Sequence, residues 1–253
     1  MLKKRLILSL LIQHPFFMNS RNFRLQPMVN LETMVQHLNL KAIDELVVLD
    51  VSRGNKSIDM LCQNIKSISK KCFVPISAGG DVKSLYDFQK LLNSGADKII
   101  INTVATDTPE FITKASETFG SQCVIVSIDT KKCKDGEYYV YSNNGQVNTG
   151  RKVLDWAKEV ETLGAGEIYL TSIDRDGTAQ GYDLDLIRKV SDAITIPVIA
   201  SGGVGEFNHL ADGVKAGASA VSLANLFHYI GTNLINAKIS MSESGIDCPL
   251  WNF

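Results

Sequence analysis

One shift of 122 residues lays the second half of this chain over the first. It places Pro197 on Pro75, within the runs Pro197-Val198-Ile199-Ala200-Ser201-Gly202-Gly203 and Pro75-Ile76-Ser77-Ala78-Gly79-Gly80. It also places Gly217-Ala218-Ser219 on Gly95-Ala96-Asp97, and Gly166-Glu167-Ile168-Tyr169 on Asp44-Glu45-Leu46-Val47. Three matches at one spacing mark an internal duplication. Within it, short apolar runs alternate with amphipathic stretches. The runs are Arg5–Ile12, Glu45–Asp50, Val74–Ala78, Asp97–Asn102, Cys123–Asp129, Glu167–Thr171, Ile196–Ala200 and Ser219–Leu223. Nearly unbroken apolar runs are what parallel strands covered on both faces require. The stretches Ser57–Lys70, Val82–Asn93, Pro109–Phe119, Arg151–Leu163, Leu184–Asp192 and Glu206–Lys215 carry helical spacing. Eight strands, each followed by a helix, predict an α/β fold: one (β/α)8 TIM barrel domain over residues 1–253, built from two half-barrels. An open doubly wound sheet is the competing arrangement, and the duplication decides against it. The segment Thr130–Asn148 breaks the rhythm. Asp135-Gly136 and Asn144-Gly145 flank Tyr138–Tyr141, which predicts a β-hairpin inserted after strand five.

The remaining sequence features narrow the class. Lys and Arg number 26 against 27 Asp and Glu, so no basic excess points to nucleic acid. The five cysteines, Cys62, Cys72, Cys123, Cys133 and Cys248, are odd in number and nowhere spaced C-x-x-C. A reduced cytoplasmic protein without structural zinc is expected. Lys3, Lys4 and Arg5 precede an apolar run, Leu6 to Ile12, that is far too short to span a membrane and has no small-residue cleavage site after it; it reads as a buried strand. His14, His37, His209 and His228 share no metal-ligand spacing, and no metal or cofactor is expected.

In such a barrel the working face is the C-terminal end of the strands. Gly79-Gly80 and Gly202-Gly203 end strands there and lead into helices, so backbone N–H groups can approach an anion closely. Gly202, Gly203, Ala224 and Asn225 close strands seven and eight, the usual place of a barrel phosphate site; Gly80, Asn102 and Thr103 hold the equivalent place in the first half. Two such sites across one mouth suit an elongated bisphosphate. Asp129 ends strand five and is either a general acid–base or a local cap and hairpin anchor. Asp174, Asp176 and Gly177 follow strand six, either as a plain turn or as a substrate-binding loop.

Gly95-Ala96-Asp97-Lys98, Ile101-Asn102-Thr103, Thr118 through Gln122, Leu170 through Thr178, Ile199 through Gly203 and Phe227-His228 give the chain a strong, full-length resemblance to HisF, the cyclase subunit of imidazole glycerol phosphate synthase. The resemblance implies closure of an imidazole ring on a bisphosphorylated ribotide. It implies ammonia delivered through the barrel from a HisH-like glutaminase docked on the opposite face, toward which Asp97 is turned. It implies a four-residue gate at that face, for which Arg5, Glu45, Lys98 and Glu167 stand at strand starts; a plain salt-bridged plug is the simpler reading. The departures are specific. Leu11 stands where the family has a second catalytic aspartate, and Asn19 where it has a lysine. The half-barrel repeat exposes the same gap, since Ser127-Ile128-Asp129 matches Ser9-Leu10-Leu11. A triple glycine becomes Gly79-Gly80-Asp81, and Asn225 replaces a serine. This pattern resembles HisF-like paralogues that supply ammonia to an amidotransferase modifying bacterial surface sugars, with weak or absent cyclase activity. A working cyclase of histidine biosynthesis is the second expectation. A stand-alone sugar-phosphate isomerase is the third, but it needs both carboxylates and no gate.

Overall fold

A computed structural model describes residues 3–37, 42–54, 56–224 and 234–249. Asn225, Phe227 and His228, singled out above, lie outside them. The barrel strands are β1 (Arg5–Gln13), β4 (Glu45–Asp50), β5 (Ile76–Gly79), β6 (Lys98–Ile101), β7 (Val124–Lys132), β10 (Glu167–Ser172), β11 (Val198–Ser201) and β12 (Ala220–Leu223). They run parallel in that order, β1 pairs with β12, and β10 pairs with β7, so the sheet of eight strands closes. The fold is the α/β TIM barrel expected from the repeat.

Alternation along the strands sorts the side chains into two cores. Leu6, Leu8, Leu10 and Ile12 of β1 point outward and join the shell under the helices, with Leu46, Val48, Ile99, Val126 and Leu170. Ile7 points inward and meets Val47, Ile100, Ile125, Tyr169, Ile199 and Ala220 in a separate cluster on the barrel axis. The outer shell is closed by α2 (Ile58–Ser69), α3 (Leu85–Asn93), α5 (Glu110–Phe119), α6 (Val153–Thr162), α7 (Leu184–Ala193) and α8 (Asn208–Lys215). Helix α2 buries Leu61, Cys62, Ile65 and Ile68, which share one face, and starts where Ser57 accepts the Met60 N–H. Helix α3 starts with a capping box between Ser84 and Asp87, a device worth about 1 kcal/mol. The helices α1 (Leu31–His37), α4 (Thr103–Asp107) and α9 (Leu234–Glu243) complete the described set. Fully buried Lys238 of α9 donates to Asp44 Oδ1 at 2.5 Å, tying the C-terminal helix to the start of β4.

Both half-barrels carry an antiparallel extension at the mouth. β7 itself runs past the barrel rim to Lys132 and pairs with β8 (Tyr138–Ser142), which pairs with β9 (Val147–Lys152). β1 likewise runs on to Gln13 and pairs with β2 (Phe16–Arg21), which pairs with β3 (Arg24–Asn30). The same 122-residue shift carries β2 onto β8 and β3 onto β9. The first extension was not legible in the sequence. Its strands contain Pro27 and several polar residues, and its tip is Asn22-Phe23 rather than an Asn-Gly turn.

Candidate functional site

Asp129 points into the mouth from β7, opposite Thr171 in the β10 register. Ser127 Oγ donates to its Oδ1 at 3.2 Å and Asn102 Nδ2 donates to its Oδ2 at 3.1 Å; the same amide nitrogen donates to the Ser127 carbonyl at 3.1 Å. The residue keeps some surface toward the mouth while its carboxyl is enclosed. Burial pushes the carboxyl up, the Ser127 bond opposes this, and the charge of Asp176 adds to it, leaving a value of about 7. A group that exchanges its proton near neutrality suits acid–base work. Leu11 lines the same cavity, which measures about 870 Å³ including space open to solvent.

The β2–β3 tip is fastened over this cavity. Asp176 Oδ2 accepts from Ser20 Oγ at 2.6 Å and from the Phe23 N–H at 3.0 Å. The Asn22 N–H donates to the Asp176 carbonyl at 2.8 Å, and Asn22 Nδ2 donates to the carbonyls of Ile173 and Asp174 at 3.0 and 3.1 Å. Gly177, at φ +67°, has no room for a side chain, since a Cβ there would lie 2.1 Å from the Ser20 carbonyl oxygen. The Asp176 carboxylate and Gly177, expected to hold substrate, are thus engaged with the hairpin. Burial raises the Asp176 carboxyl, against the Ser20 and Phe23 bonds.

Phe23 is a residue that sequence reasoning missed. It sits at φ +61°, a left-handed conformation rare for an aromatic residue. Its carbonyl accepts from Arg53 Nη2 at 2.5 Å. Its ring lies so close to Gly145 that a Cβ there would come within 2.7 Å of it. The two hairpin tips therefore meet across the mouth and divide it. The second-half compartment is lined by Gly177, Gly202, Gly203, Asp176 and Ala224. The first-half compartment, about 1630 Å³ with its open space, is lined by Gly80, Asp81, Asn102 and Thr103. Ser127, Asp129 and Arg53 line both.

Gly80, Gly202 and Gly203 adopt φ of +129°, +92° and +107°. A Cβ at Gly203 would meet the Gly181 carbonyl oxygen at 2.2 Å, and one at Gly80 would meet Asp50 at 2.6 Å. Asp81 occupies the counterpart of Gly203 with φ +59°, and Lys83 Nζ lies 2.7 Å from its carboxylate. Thr103 Oγ1 accepts the Asn143 N–H at 3.2 Å.

At the other end of the barrel, Arg5, Glu45, Lys98 and Glu167 form a closed ionic ring. Arg5 reaches Glu45 at 2.7 Å and Glu167 at 2.6 Å; Lys98 reaches the same two carboxylates at 3.0 and 2.6 Å. Ser77 Oγ adds a bond to Glu45 at 2.7 Å. Burial works against the charge on Glu167, but the bonds and charges of Arg5 and Lys98 outweigh it and hold the carboxyl below its ordinary value. The Arg5 guanidinium is likewise pushed down by burial and more than restored by Glu167 and Glu45. Between ring and mouth stand the inward apolar layer and, above it, the buried Tyr169 hydroxyl. Ser9 and Ser222 contact that hydroxyl at 2.8 and 3.2 Å, Ser201 donates to it at 2.9 Å, and Ser9 and Ser222 are 2.6 Å apart.

Among the described residues no group of three or more His, Cys, Asp or Glu side chains could hold a metal, and no helix is long and apolar enough to cross a membrane. A family model described as histidine biosynthesis protein matches residues 21–232.

Proposed function

The chain belongs to the histidine biosynthesis protein family, and from that premise we propose that it is a HisF-type subunit of a glutamine-dependent amidotransferase, working in the cytoplasm with a HisH-like glutaminase as a heterodimer. The observation that carries this reading is the ionic ring. Two acids and two bases satisfy one another at the barrel floor, and Arg5 and Lys98 keep contact with the outside, where a partner could part them from the buried Glu45 and Glu167. Ammonia is small and neutral, so it can cross the apolar layer of Ile7, Val47, Ile100, Ile125 and Ile199 without the desolvation cost an ammonium ion would meet. It then reaches the hydroxyls of Ser9, Tyr169 and Ser222 and the mouth beneath Asp129.

At the mouth, Gly202 and Gly203 offer backbone N–H groups to a phosphate of the substrate, with Ala224 beside them. Asp129 moves a proton. Leu11 cannot, and removing one positioned acid–base group lowers rate by roughly 10²–10⁴. The chain's own cyclase activity is therefore weak or absent, and the ammonia serves a partner enzyme that amidinates a surface sugar. Mixing the purified protein with a HisH-like glutaminase tests this. Co-elution and faster glutamine hydrolysis, both lost in Glu167→Gln, are expected. A protein that neither binds a glutaminase nor changes its hydrolysis overturns the proposal.

One observation favours a second reading, a working cyclase of histidine biosynthesis. Asp176 is a second buried carboxyl lining the cavity of Asp129. Turnover of the ribotide with ammonium salt at the rate of an enzyme with both aspartates, abolished by Asp129→Asn, would establish it.

A further inference from the structure

The corners of the two compartments of the mouth present different polar groups. In the second half the corner is Gly202-Gly203, which lines the cavity with backbone alone, and the side chain of Ala224 adds nothing polar. In the first half each of these positions has changed character. Gly203 becomes Asp81, which keeps the left-handed backbone and brings a carboxylate, paired with Lys83 at 2.7 Å, to the same corner. Ala224 becomes Asn102. The orientation of the Asn102 amide is fixed, because its nitrogen faces two acceptors, the Asp129 carboxylate and the Ser127 carbonyl. Its oxygen is therefore an acceptor, and it is buried without a hydrogen-bond partner. A buried acceptor left unpaired costs about 1–3 kcal/mol, so such a group is best explained by a donor that arrives with a ligand.

The helix behind each corner differs in the same sense. The N–H groups just before α3 already have a resident anion, as Asp87 Oδ2 accepts from the N–H groups of Lys83 and Ser84 at 3.1 and 3.0 Å. Before α8 the N–H groups of Gly205 and Glu206 instead donate to Nδ1 of His209 at 3.2 and 3.3 Å, so their acceptor is not a carboxylate. A phosphate ester at neutral pH is almost purely an acceptor and fits the second compartment. A hydroxyl or ammonium group is a donor and fits Asp81 and Asn102.

We propose that this mouth takes a ligand with a single phosphate, seated at Gly202-Gly203, and a hydroxylated or aminated end seated at Asp81 and Asn102, rather than a bisphosphate. This rests on the phosphate end assigned above, and it is tested at the mouth, whereas the glutaminase experiment reads the barrel floor. Calorimetric titration of the full chain uses inorganic phosphate, ribose 5-phosphate and ribose 1,5-bisphosphate as probes. Inorganic phosphate binds at one site and Gly203→Asp abolishes it. Ribose 5-phosphate binds at least as tightly as the bisphosphate. Asp81→Gly creates a second phosphate site and improves the bisphosphate by about tenfold or more, a gain that cannot come from misfolding. Asn102→Leu weakens ribose 5-phosphate and leaves inorganic phosphate unchanged. Two phosphate sites in the unaltered protein, no phosphate site at all, or an Asp81→Gly variant with one site and unchanged bisphosphate affinity would each overturn the proposal.

Discussion

Ser20 Oγ donates to Asp176 Oδ2 at 2.6 Å, and through this bond the tip of one hairpin is fastened to the loop after β10. The same carboxylate oxygen takes the N–H of Phe23, so one side chain on a loop holds a strained aromatic residue in place across the mouth.

Removing that carboxylate should free the tip. Asp176→Ala is expected to cost about 1–3 kcal/mol, since it removes the Ser20 bond and strands the Phe23 N–H. Amide hydrogen exchange at residues 20–24 should accelerate by about tenfold or more, while exchange in β4 and β5 stays unchanged. Gly177→Ala should reproduce the effect by steric means, because its Cβ would lie 2.1 Å from the Ser20 carbonyl oxygen.

Asp129 makes stability depend on pH. Its folded value of about 7 lies above its ordinary one, so the fold binds this proton more tightly than the unfolded chain does. Its contribution is complete below the ordinary carboxylate range and is lost as pH rises to about 7. Urea unfolding between pH 4 and pH 8 should show a decline on the order of a few kcal/mol from this group, and Asp129→Asn should flatten it.

Glu167 acts at the opposite end of the scale. Its folded value lies below its ordinary one, so its contribution is present above the ordinary value and is lost as pH falls through the lowered one. Glu167→Gln should remove that acid limb. It should also cost roughly 1–3 kcal/mol at neutral pH in urea unfolding, less than for a fully buried pair because Arg5 and Lys98 keep contact with solvent.

Leu11→Asp should restore the missing half of the mirrored pair. With ribotide and ammonium salt, cyclase turnover is expected to rise by roughly 10²–10⁴. Because the new carboxyl shares a cavity with Asp129, the pair should titrate in two coupled steps, with the upper one above that of Asp129 alone. An unchanged turnover in a folded variant would show that Leu11 is not what limits the chemistry.

The barrel was legible because its signals are carried by the chain's own duplication. The strand starts at Glu45 and Glu167 and the glycine corners at Gly80 and Gly202 recur at one spacing, and buried parallel strands announce themselves as apolar runs. The mouth was only partly legible. Asp129 could be placed at a strand end, but its enclosure depends on Asn102 and Ser127, which chain distance does not reveal. Phe23 was invisible, because its conformation is imposed by Asp176 and Arg53, far away in sequence. Asp176 read either as part of a plain turn or as a substrate contact, and its bonds to the hairpin could not be foreseen from chain distance.

The hydroxyl cluster on the barrel axis has a consequence of its own. Ser9, Tyr169 and Ser222 contact one another in a triangle, and Ser201 gives its proton to the tyrosine. Three protons circulating through three contacts can run clockwise or anticlockwise, and in either sense none is left over. A traveller arriving here finds lone pairs and no hydrogens, so it must bring its own. Species rich in N–H or O–H are welcomed at this turnstile, and those that can only accept are not.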